Sequence, residues 1–445
     1  MTNPHMDNKD YNYYNFDSRF IQQQLNNKIE NMLLKVLVVI LSVLVAGIAI
    51  ICYTPLPTGI HDPVRTELFM GLMKLVTFVM KIRKFFGYGS FLNNVKILQN
   101  SIKLEGVLPS AKHGDVQVTR EVIENVPVII YRPNTASVVS PAMVYFHGGG
   151  WVLMTADDYD STTYHFAKET NIVVISVDYR RAPQFPFPVP VQDCLVVTRY
   201  FLKNGLQFGI DVSKIGVGGD SAGGNLAAAV ALALTREKSG LPSLKFQVLL
   251  FPVLQAFDLR LPSYVDMNDS MPILTTRIMA AYNSLYLGLE EDNTEYYSWL
   301  MSENQHIPPE MRTSKFADFV SVKNLPKMFR TANRTATEIT ASYDQDVYNK
   351  IKDIIVDPLF SPLMSPDLTG LPTTFIHACE FDVLRDEAMI YSKRLQDAGV
   401  KVKFHFGHGG YHADILRMAP DFLWSESGRV AFSAVCNFIT SVVQK

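Results

Sequence analysis

Small residues surround one serine near the middle of the chain, in the pentapeptide Gly219-Asp220-Ser221-Ala222-Gly223. The apolar run Ile215–Gly218 before it favours a β-strand, and the alanine-rich stretch Asn225–Leu234 after it favours a helix. Small residues suit such a junction because a tight turn packed against a neighbouring strand leaves little room for Cβ atoms. The pattern predicts that Ser221 lies on a sharp strand-to-helix turn with its hydroxyl group in solvent. The alternative is a glycine-rich connection that contains an incidental serine.

A second glycine-rich segment, His147-Gly148-Gly149-Gly150-Trp151, directly follows the predicted strand Ala142–Phe146. Three successive glycines allow backbone N–H groups to converge on one point, which the oxyanion of an acyl-transfer intermediate requires. Alone, the run would indicate only a flexible turn, but both segments follow predicted strands. We expect the oxyanion site to involve His147, Gly148, Gly149 and Ala222.

A serine hydroxyl is a weak nucleophile near neutral pH, so this chemistry needs an imidazole base and a carboxylate that orients the imidazole. Three carboxylates follow the predicted strand Thr373–Ile376, namely Glu380, Asp382 and Asp386. We favour Asp382, because Asp386 falls near the N-terminus of the next predicted helix and would serve the helix dipole there. Glu380 is the second candidate.

The histidine candidates lie in the loop Gly407–Asp414, which follows the predicted strand Val402–Phe406. We favour His412 over His408, because His412 immediately precedes a predicted helix and the glycines before it would let the loop fold over the serine. His405 lies within the strand and is interpreted as a packing or surface residue. In chain order, the predicted catalytic residues are Ser221, Asp382 and His412.

The run Val36–Tyr53 contains eighteen consecutive uncharged residues, most of them apolar. Together with the residues from Leu33 onward it is long enough to cross a bilayer as a helix, at about 1.5 Å per residue. A cleaved secretory signal would have a shorter apolar region closer to the N-terminus, and a buried core helix would show a polar face. We therefore predict a transmembrane signal anchor over residues 33–53.

Residues 1–31 are polar and asparagine-rich, which predicts a disordered tail. More basic residues precede the span than closely follow it, so the positive-inside rule predicts a cytosolic tail and a lumenal domain over residues 54–445. Two N-x-S/T sequons fall in the lumenal part and are glycosylation candidates, at Asn268 and Asn333.

Beyond the anchor, predicted strands alternate with predicted helices, which indicates an α/β fold with a mostly parallel sheet covered on both faces. The strands are Val126–Tyr131, Ala142–Phe146, Ile172–Val177, Ile215–Val217, Phe246–Leu250, Thr373–Ile376 and Val402–Phe406. The segments near 60–110 and 256–357 interrupt this alternation and are interpreted as cap elements. The first contains the apolar helix Thr66–Ile82, which could contact a membrane, form part of a lid or simply pack on the domain.

The composition excludes several classes of function. Because 41 basic residues face 43 acidic ones, for a formal net charge of -2, there is no electrostatic case for nucleic acid as a partner. The four cysteines show neither C-x-x-C spacing nor a disulfide framework, and no zinc-type Cys/His cluster occurs. We therefore expect no metal and no cofactor, and at least one free cysteine. The oligomeric state is left open.

Three of these segments together resemble the hormone-sensitive-lipase group of α/β-hydrolases, namely His147–Trp151, Gly219–Asn225 and Asp382–Asp386. Within that group, the anchor and the run Asp178–Pro183 are similar to the branch of arylacetamide deacetylase and neutral cholesterol ester hydrolase. The resemblance covers the anchor and the chain from about residue 126 onward.

The resemblance implies a single-pass type II protein of the endoplasmic reticulum membrane whose lumenal α/β-hydrolase domain cleaves lipophilic esters. Acylglycerols, cholesteryl esters, acetyl esters and arylacetamides are the implied substrates. Members of the group often carry cysteine after the tryptophan of the first motif, where this chain has Val152, so a disulfide from there to Cys379 cannot form. The competing hypothesis is a non-catalytic small-molecule binding protein with the same fold.

Overall fold

The computed structural model describes residues 10–87, 113–237, 239–268, 271, 273–330, 342–416 and 424–444. The chain divides into two compact units, Met1–Thr54 and Pro55–Lys445. The second unit carries all the predicted catalytic residues.

The N-terminal unit contains one long helix, α1 (Asp10–Cys52). Its part Phe20–Cys52 contains an 18-residue window that has a mean hydropathy of 2.9 and is not buried in the protein, so it is long and apolar enough to cross a bilayer. The helix begins well before the predicted span, although composition predicts no regular structure for residues 10–31. No glycine or proline occurs between Asp10 and Gly47, so helix can propagate backwards from the apolar segment.

The larger unit is built on a sheet of eight strands in the order β1-β2-β4-β3-β5-β6-β7-β8. β1 and β2, and likewise β2 and β4, pair antiparallel, whereas all other neighbours are parallel. The predicted mostly parallel sheet is therefore confirmed. The strands are β1 (Val116–Ile123), β2 (Val126–Pro133), β3 (Ser140–Phe146), β4 (Val173–Val177), β5 (Ile210–Asp220), β6 (Phe246–Leu250), β7 (Thr373–Phe381) and β8 (Val402–Tyr411).

The first strand, β1, is the one that sequence analysis missed. It lies at the edge of the sheet, and only its two end residues, Val116 and Ile123, are buried. Its central residues are mostly exposed, so they show neither an apolar run nor the alternation by which strands are recognised in a sequence.

Helices cover both faces of the sheet, as predicted. Along β3, Val144 belongs to one hydrophobic core and Tyr145 to another, because successive side chains of a strand point to opposite faces. Helices α4, α5 and α11 pack in the first core, and α3 and α12 pack in the second. The helices of the larger unit are α2 (Pro63–Phe85), α3 (Asp160–Thr170), α4 (Val189–Asn204), α5 (Ala222–Arg236), α6 (Pro262–Asp266), α7 (Thr276–Tyr286), α8 (Thr294–Ser302), α9 (Lys315–Phe319), α10 (Gln345–Ile351), α11 (Arg385–Asp397) and α12 (Glu426–Val443).

The interval between β6 and β7 contains the short helices α6 to α10 and no strand among its described residues. Helix α7 from this interval packs directly on the glycine-rich loop after β3. The Tyr286 ring stacks on Trp151 with centroids 4.3 Å apart, and a Cβ atom on Gly150 would come within 2.4 Å of the Tyr282 ring. This interval therefore packs on the loop that contains the predicted oxyanion residues; that it forms a cap over the site stays a prediction.

Helix α2 buries one face and exposes another. Met70 is fully buried in a small cluster with Phe381 and Tyr411, at the ends of β7 and β8. Leu68 and Leu72, in contrast, are exposed. The helix thus packs on the domain and also presents an apolar surface. The remainder of the predicted segment near 60–110, from residue 88 onward, lies outside the described residues.

Candidate active site

Ser221 occupies the predicted turn between β5 and α5. Its φ of +53° and ψ of −120° are backbone angles that residues with a side chain rarely adopt. The Ser221 N–H donates to the Leu250 carbonyl at 2.8 Å, and the Ser221 carbonyl accepts from the N–H groups of Asn225 and Val253. These bonds to β6 and its following loop hold the turn in place.

The glycines of the pentapeptide are required by close backbone contacts. A Cβ atom on Gly219 would lie 2.3 Å from the Gly223 carbonyl oxygen, and one on Gly223 would lie 2.0 Å from the Phe146 carbonyl oxygen. Both distances are far below van der Waals contact. The turn is therefore packed as tightly as the sequence predicts, but Ser221 is only 7% exposed. The expectation of a hydroxyl in solvent is wrong, because the imidazole of His412 lies against that hydroxyl.

Three predicted residues form one hydrogen-bonded chain. Ser221 Oγ lies 3.2 Å from His412 Nε2, and His412 Nδ1 lies 2.8 Å from Asp382 Oδ2. The other carboxylate oxygen of Asp382 accepts the Leu384 N–H at 3.0 Å, which fixes the carboxylate. The His412 ring packs edge-on against Phe251, with centroids 4.8 Å apart. With Nδ1–H donating to Asp382, the lone pair of Nε2 faces the serine hydroxyl, as a general base requires.

The alternative candidates have other partners. Glu380 Oε2 accepts the Gly409 N–H at 2.8 Å and lies 3.8 Å from the exposed ring of His408. Asp386 lies near the start of α11 and accepts the Ser263 N–H at 2.8 Å. His405, predicted to be a packing or surface residue, is bound through Nδ1 to another histidine of the sheet. None of these contacts leads to Ser221.

The oxyanion prediction is wrong for Gly148. Its N–H donates to the Tyr159 hydroxyl at 3.1 Å, so it is already used inside the protein. The imidazole of His147 is fully buried and stacks on Tyr179 with centroids 4.3 Å apart. Burial lowers the pKa of His147 to about 4, so the ring is neutral, and its Nδ1–H donates to the Gly148 carbonyl at 2.8 Å. His147 therefore supports the loop from within the protein.

Three other backbone N–H groups of the two glycine-rich segments remain as candidates. Gly149 and Gly150 both have positive φ angles, +102° and +62°, that turn the loop sharply after Gly148. In the described part of the chain, the N–H groups of Gly149, Gly150 and Ala222 donate to no acceptor. Sequence analysis did not include Gly150 among the oxyanion donors, because a run of three glycines does not indicate which of their N–H groups stay unpaired.

A buried carboxylate connects the two glycine-rich segments. Asp220 accepts hydrogen bonds from the hydroxyls of Tyr145 and Tyr159, both at 2.7 Å. Burial raises the pKa of Asp220 to about 6. The Tyr159 hydroxyl thus donates to Asp220 and accepts from Gly148 at once, which ties the turn at Ser221 to the oxyanion loop. Sequence analysis missed this contact because no motif marks Tyr159.

We expect the substitution Tyr159→Phe to lower the free energy of unfolding by about 1–3 kcal/mol, because it leaves two buried polar groups without their partner. The measurement is chemical denaturation of the detergent-solubilised protein, followed by tryptophan fluorescence. Tyr200→Phe is the matched control, since the Tyr200 hydroxyl has no partner among the described residues; we expect it to change stability by less than about 0.5 kcal/mol. Equal effects of both substitutions would contradict the proposed connection.

Comparison with known proteins agrees with this geometry. The α/β hydrolase fold family matches residues 143–312 and 313–416. Arylacetamide deacetylase of Oryctolagus cuniculus is 34% identical over 368 residues, which cover 81% of this chain and 89% of that protein. The chain belongs to the α/β-hydrolase family. Neutral cholesterol ester hydrolase 1 of Rattus norvegicus is 31% identical, over 85% of this chain and 92% of that protein.

Two solved esterase structures have the same fold as this α/β-hydrolase. An esterase from Pseudomonas putida is 22% identical and covers 87% of this chain and 99% of its own, with a TM-score of 0.59. A Pyrobaculum calidifontis esterase is 25% identical and covers 78% of this chain and 92% of its own, with a TM-score of 0.56. The fold class and the family resemblance predicted from the motifs are therefore confirmed.

Proposed function

We propose that this protein is a membrane-anchored serine hydrolase that cleaves lipophilic carboxylic esters. The observation that carries the proposal is the continuous, buried hydrogen-bonded chain from Ser221 Oγ through His412 to Asp382. Family membership supports the same reaction, since relatives are named as a deacetylase and an ester hydrolase.

The reaction follows from this arrangement. Ser221 Oγ attacks the ester carbonyl carbon while His412 Nε2 takes the hydroxyl proton, and Asp382 stabilises the imidazolium that forms. The N–H groups of Gly149, Gly150 and Ala222 bind the oxyanion of the tetrahedral intermediate. When the intermediate collapses, the C–O bond breaks and the alcohol leaves with the proton from His412. Water then attacks the acyl-serine with His412 again as base, and the carboxylic acid is released.

Aromatic residues beside the oxyanion loop favour a lipophilic substrate. Trp151, Tyr286 and Phe360 form one aromatic cluster, in which the Tyr286 and Phe360 ring centroids lie 4.3 and 6.3 Å from that of Trp151, and Tyr282 lies against Gly150. An apolar anchor would also hold the protein where lipophilic esters concentrate. The proposed substrates are acylglycerols, cholesteryl esters and acetyl esters, with arylacetamides as an amide class. The names of the two relatives support arylacetamides and cholesteryl esters among these substrates.

The test uses membranes that contain the full-length protein. We expect a fluorophosphonate probe to label the protein on Ser221, as located by mass spectrometry of the peptide, and we expect turnover of an ester series of increasing acyl length. The chain-length profile would identify the acyl preference. Stoichiometric ester binding with neither labelling nor turnover would favour a non-catalytic binding protein instead.

We further propose that the anchor is single-pass type II in the endoplasmic reticulum membrane, with residues 54–445 in the lumen. The excess of basic residues before the span supports this orientation. Asn268 is half-buried, and its Oδ1 accepts the Thr276 N–H at 3.0 Å, whereas Asn333 lies outside the described residues. A glycan would attach to Nδ2, so the Asn268 hydrogen bond is compatible with glycosylation.

Glycosidase treatment tests the orientation. We expect the apparent mass of the membrane-bound protein to fall, because either sequon in the lumen is exposed to oligosaccharide transfer. Comparison of Asn268→Gln with Asn333→Gln would show which site is used. If the apparent mass is the same before and after glycosidase treatment, that result would count against the lumenal orientation.

A further inference from the structure

A second group of reactive side chains lies beside the proposed active site. His377 and Cys379 are two residues apart on β7 and so share one face of the sheet, and Asp414 follows β8. Cys379 Sγ lies 3.4 Å from His377 Nε2, and Asp414 Oδ1 lies 3.7 Å from each of these two atoms. All three residues are buried, and Cys379 is a free thiol.

The three atoms have the spacing of ligands around one ion. A point equidistant from them lies about 2.1 Å from each, close to the distances of roughly 2.0–2.3 Å at which nitrogen, oxygen and sulfur bind zinc. Sulfur and imidazole ligands disfavour calcium and magnesium, which prefer oxygen. We propose that His377, Cys379 and Asp414 bind a zinc ion, with the fourth position of a tetrahedron left to a non-protein ligand.

The surrounding contacts leave the right atoms free for a metal. His377 Nδ1 lies 3.4 Å from the His405 carbonyl oxygen and 3.0 Å from His405 Nδ1, so the opposite nitrogen, Nε2, can face the ion. Asp414 Oδ2 accepts the Ser427 hydroxyl at 2.6 Å, which leaves Oδ1 for the ion. Such outer contacts fix the orientation of metal ligands in known sites.

The charges also balance. Zinc binding replaces the thiol proton of Cys379, which is released to solvent, so that one thiolate and one carboxylate offset the two positive charges of the ion. If His377 Nδ1 carries the ring proton and donates it towards His405, and the Asp414 carboxyl group is ionised, the thiol proton is the only hydrogen that these three side chains offer to two facing acceptors, Nε2 and Oδ1. The ion would satisfy both.

The site would connect the two segments that carry the proposed base and its carboxylate. Cys379 is three residues before Asp382, and Asp414 is two residues after His412. An ion bound between Cys379 and Asp414 would therefore hold the end of β7 against the loop that follows β8. Its role would be positional, because no hydrogen bond among the described residues joins its ligands to Ser221, His412 or Asp382.

The experiment measures the metal content of the full-length protein, purified in detergent without chelator, by inductively coupled plasma mass spectrometry. We expect about one zinc ion per chain in the wild-type protein and less than about one fifth of that in Cys379→Ser and Asp414→Asn. Cys436→Ser is the matched control, since Cys436 is also a buried free thiol packed in the same core; it should keep the full zinc content.

Two results would overturn the proposal: less than about one tenth of a zinc ion per wild-type chain after dialysis against zinc, or full zinc content in Cys379→Ser. If Cys379→Ser does not fold, cobalt-substituted wild-type protein provides the second measurement. We expect a sulfur-to-cobalt charge-transfer band in the near ultraviolet, and its absence would also overturn the site. Ser221→Ala should keep the zinc, so this test is independent of the proposed hydrolase activity.

Discussion

Replacing Ser221 with alanine is expected to lower kcat for ester hydrolysis by about a million-fold, to the level of the remaining oxyanion and binding contacts. No other hydroxyl is hydrogen-bonded to His412 in the described part of the chain, so no substitute nucleophile is at hand. Labelling by a fluorophosphonate should be lost together with turnover. Initial rates over a range of protein concentrations, with Ser221→Ala membranes prepared in parallel, provide the measurement.

Ser213→Ala is the matched control for this experiment. Ser213 lies on the same strand, β5, but is exposed and bonds only to Asp211 among the described residues. We expect it to keep wild-type turnover and labelling. Thermal unfolding of both variants would show that the loss in Ser221→Ala is chemical. Turnover retained by a folded Ser221→Ala protein would refute the proposed nucleophile.

Asp382→Asn is expected to lower kcat by about ten-thousand-fold while the protein stays folded. The asparagine amide can donate a hydrogen bond to His412 Nδ1, which would place the imidazole proton on Nε2 and remove the lone pair that faces Ser221 Oγ. The substrate-binding contacts stay, so KM should change far less than kcat. Steady-state kinetics with a soluble short-chain ester separates the two parameters.

Glu380→Gln distinguishes the two carboxylate candidates. Glu380 accepts a backbone N–H from Gly409 and does not contact His412, so we expect less than about a threefold change in kcat. A large loss in Glu380→Gln together with an active Asp382→Asn protein would reassign the carboxylate. The pair of variants therefore tests the geometry at the level of a single residue.

Sequence analysis predicts those features that depend on local patterns. The strands and helices around Ser221 follow from apolar runs, alanine content and glycine positions within about twenty residues. The choice of His412 over His408 is likewise local, because it depends on the glycines and the helix next to each histidine. The structure agrees: His412 reaches Ser221 Oγ, whereas His408 is exposed.

Features that depend on distant contacts could not be predicted in this way. The direction of the Gly148 N–H is determined by Tyr159, and the position of Tyr159 is determined in turn by Asp220. No spacing rule connects these residues in the sequence. The same holds for Cys379 and Asp414, which the fold brings together from two strands although no zinc-type motif is present. The expectation of no metal followed from that missing motif.

The backbone of Ser221 has a consequence for how this position can change. Its φ of +53° adds strain of about 1–3 kcal/mol to the folded state for any residue with a Cβ atom, whether or not substrate is present. A glycine would remove that strain and also the nucleophile. Selection for greater stability of the folded state and selection for turnover therefore act in opposite directions on this one residue.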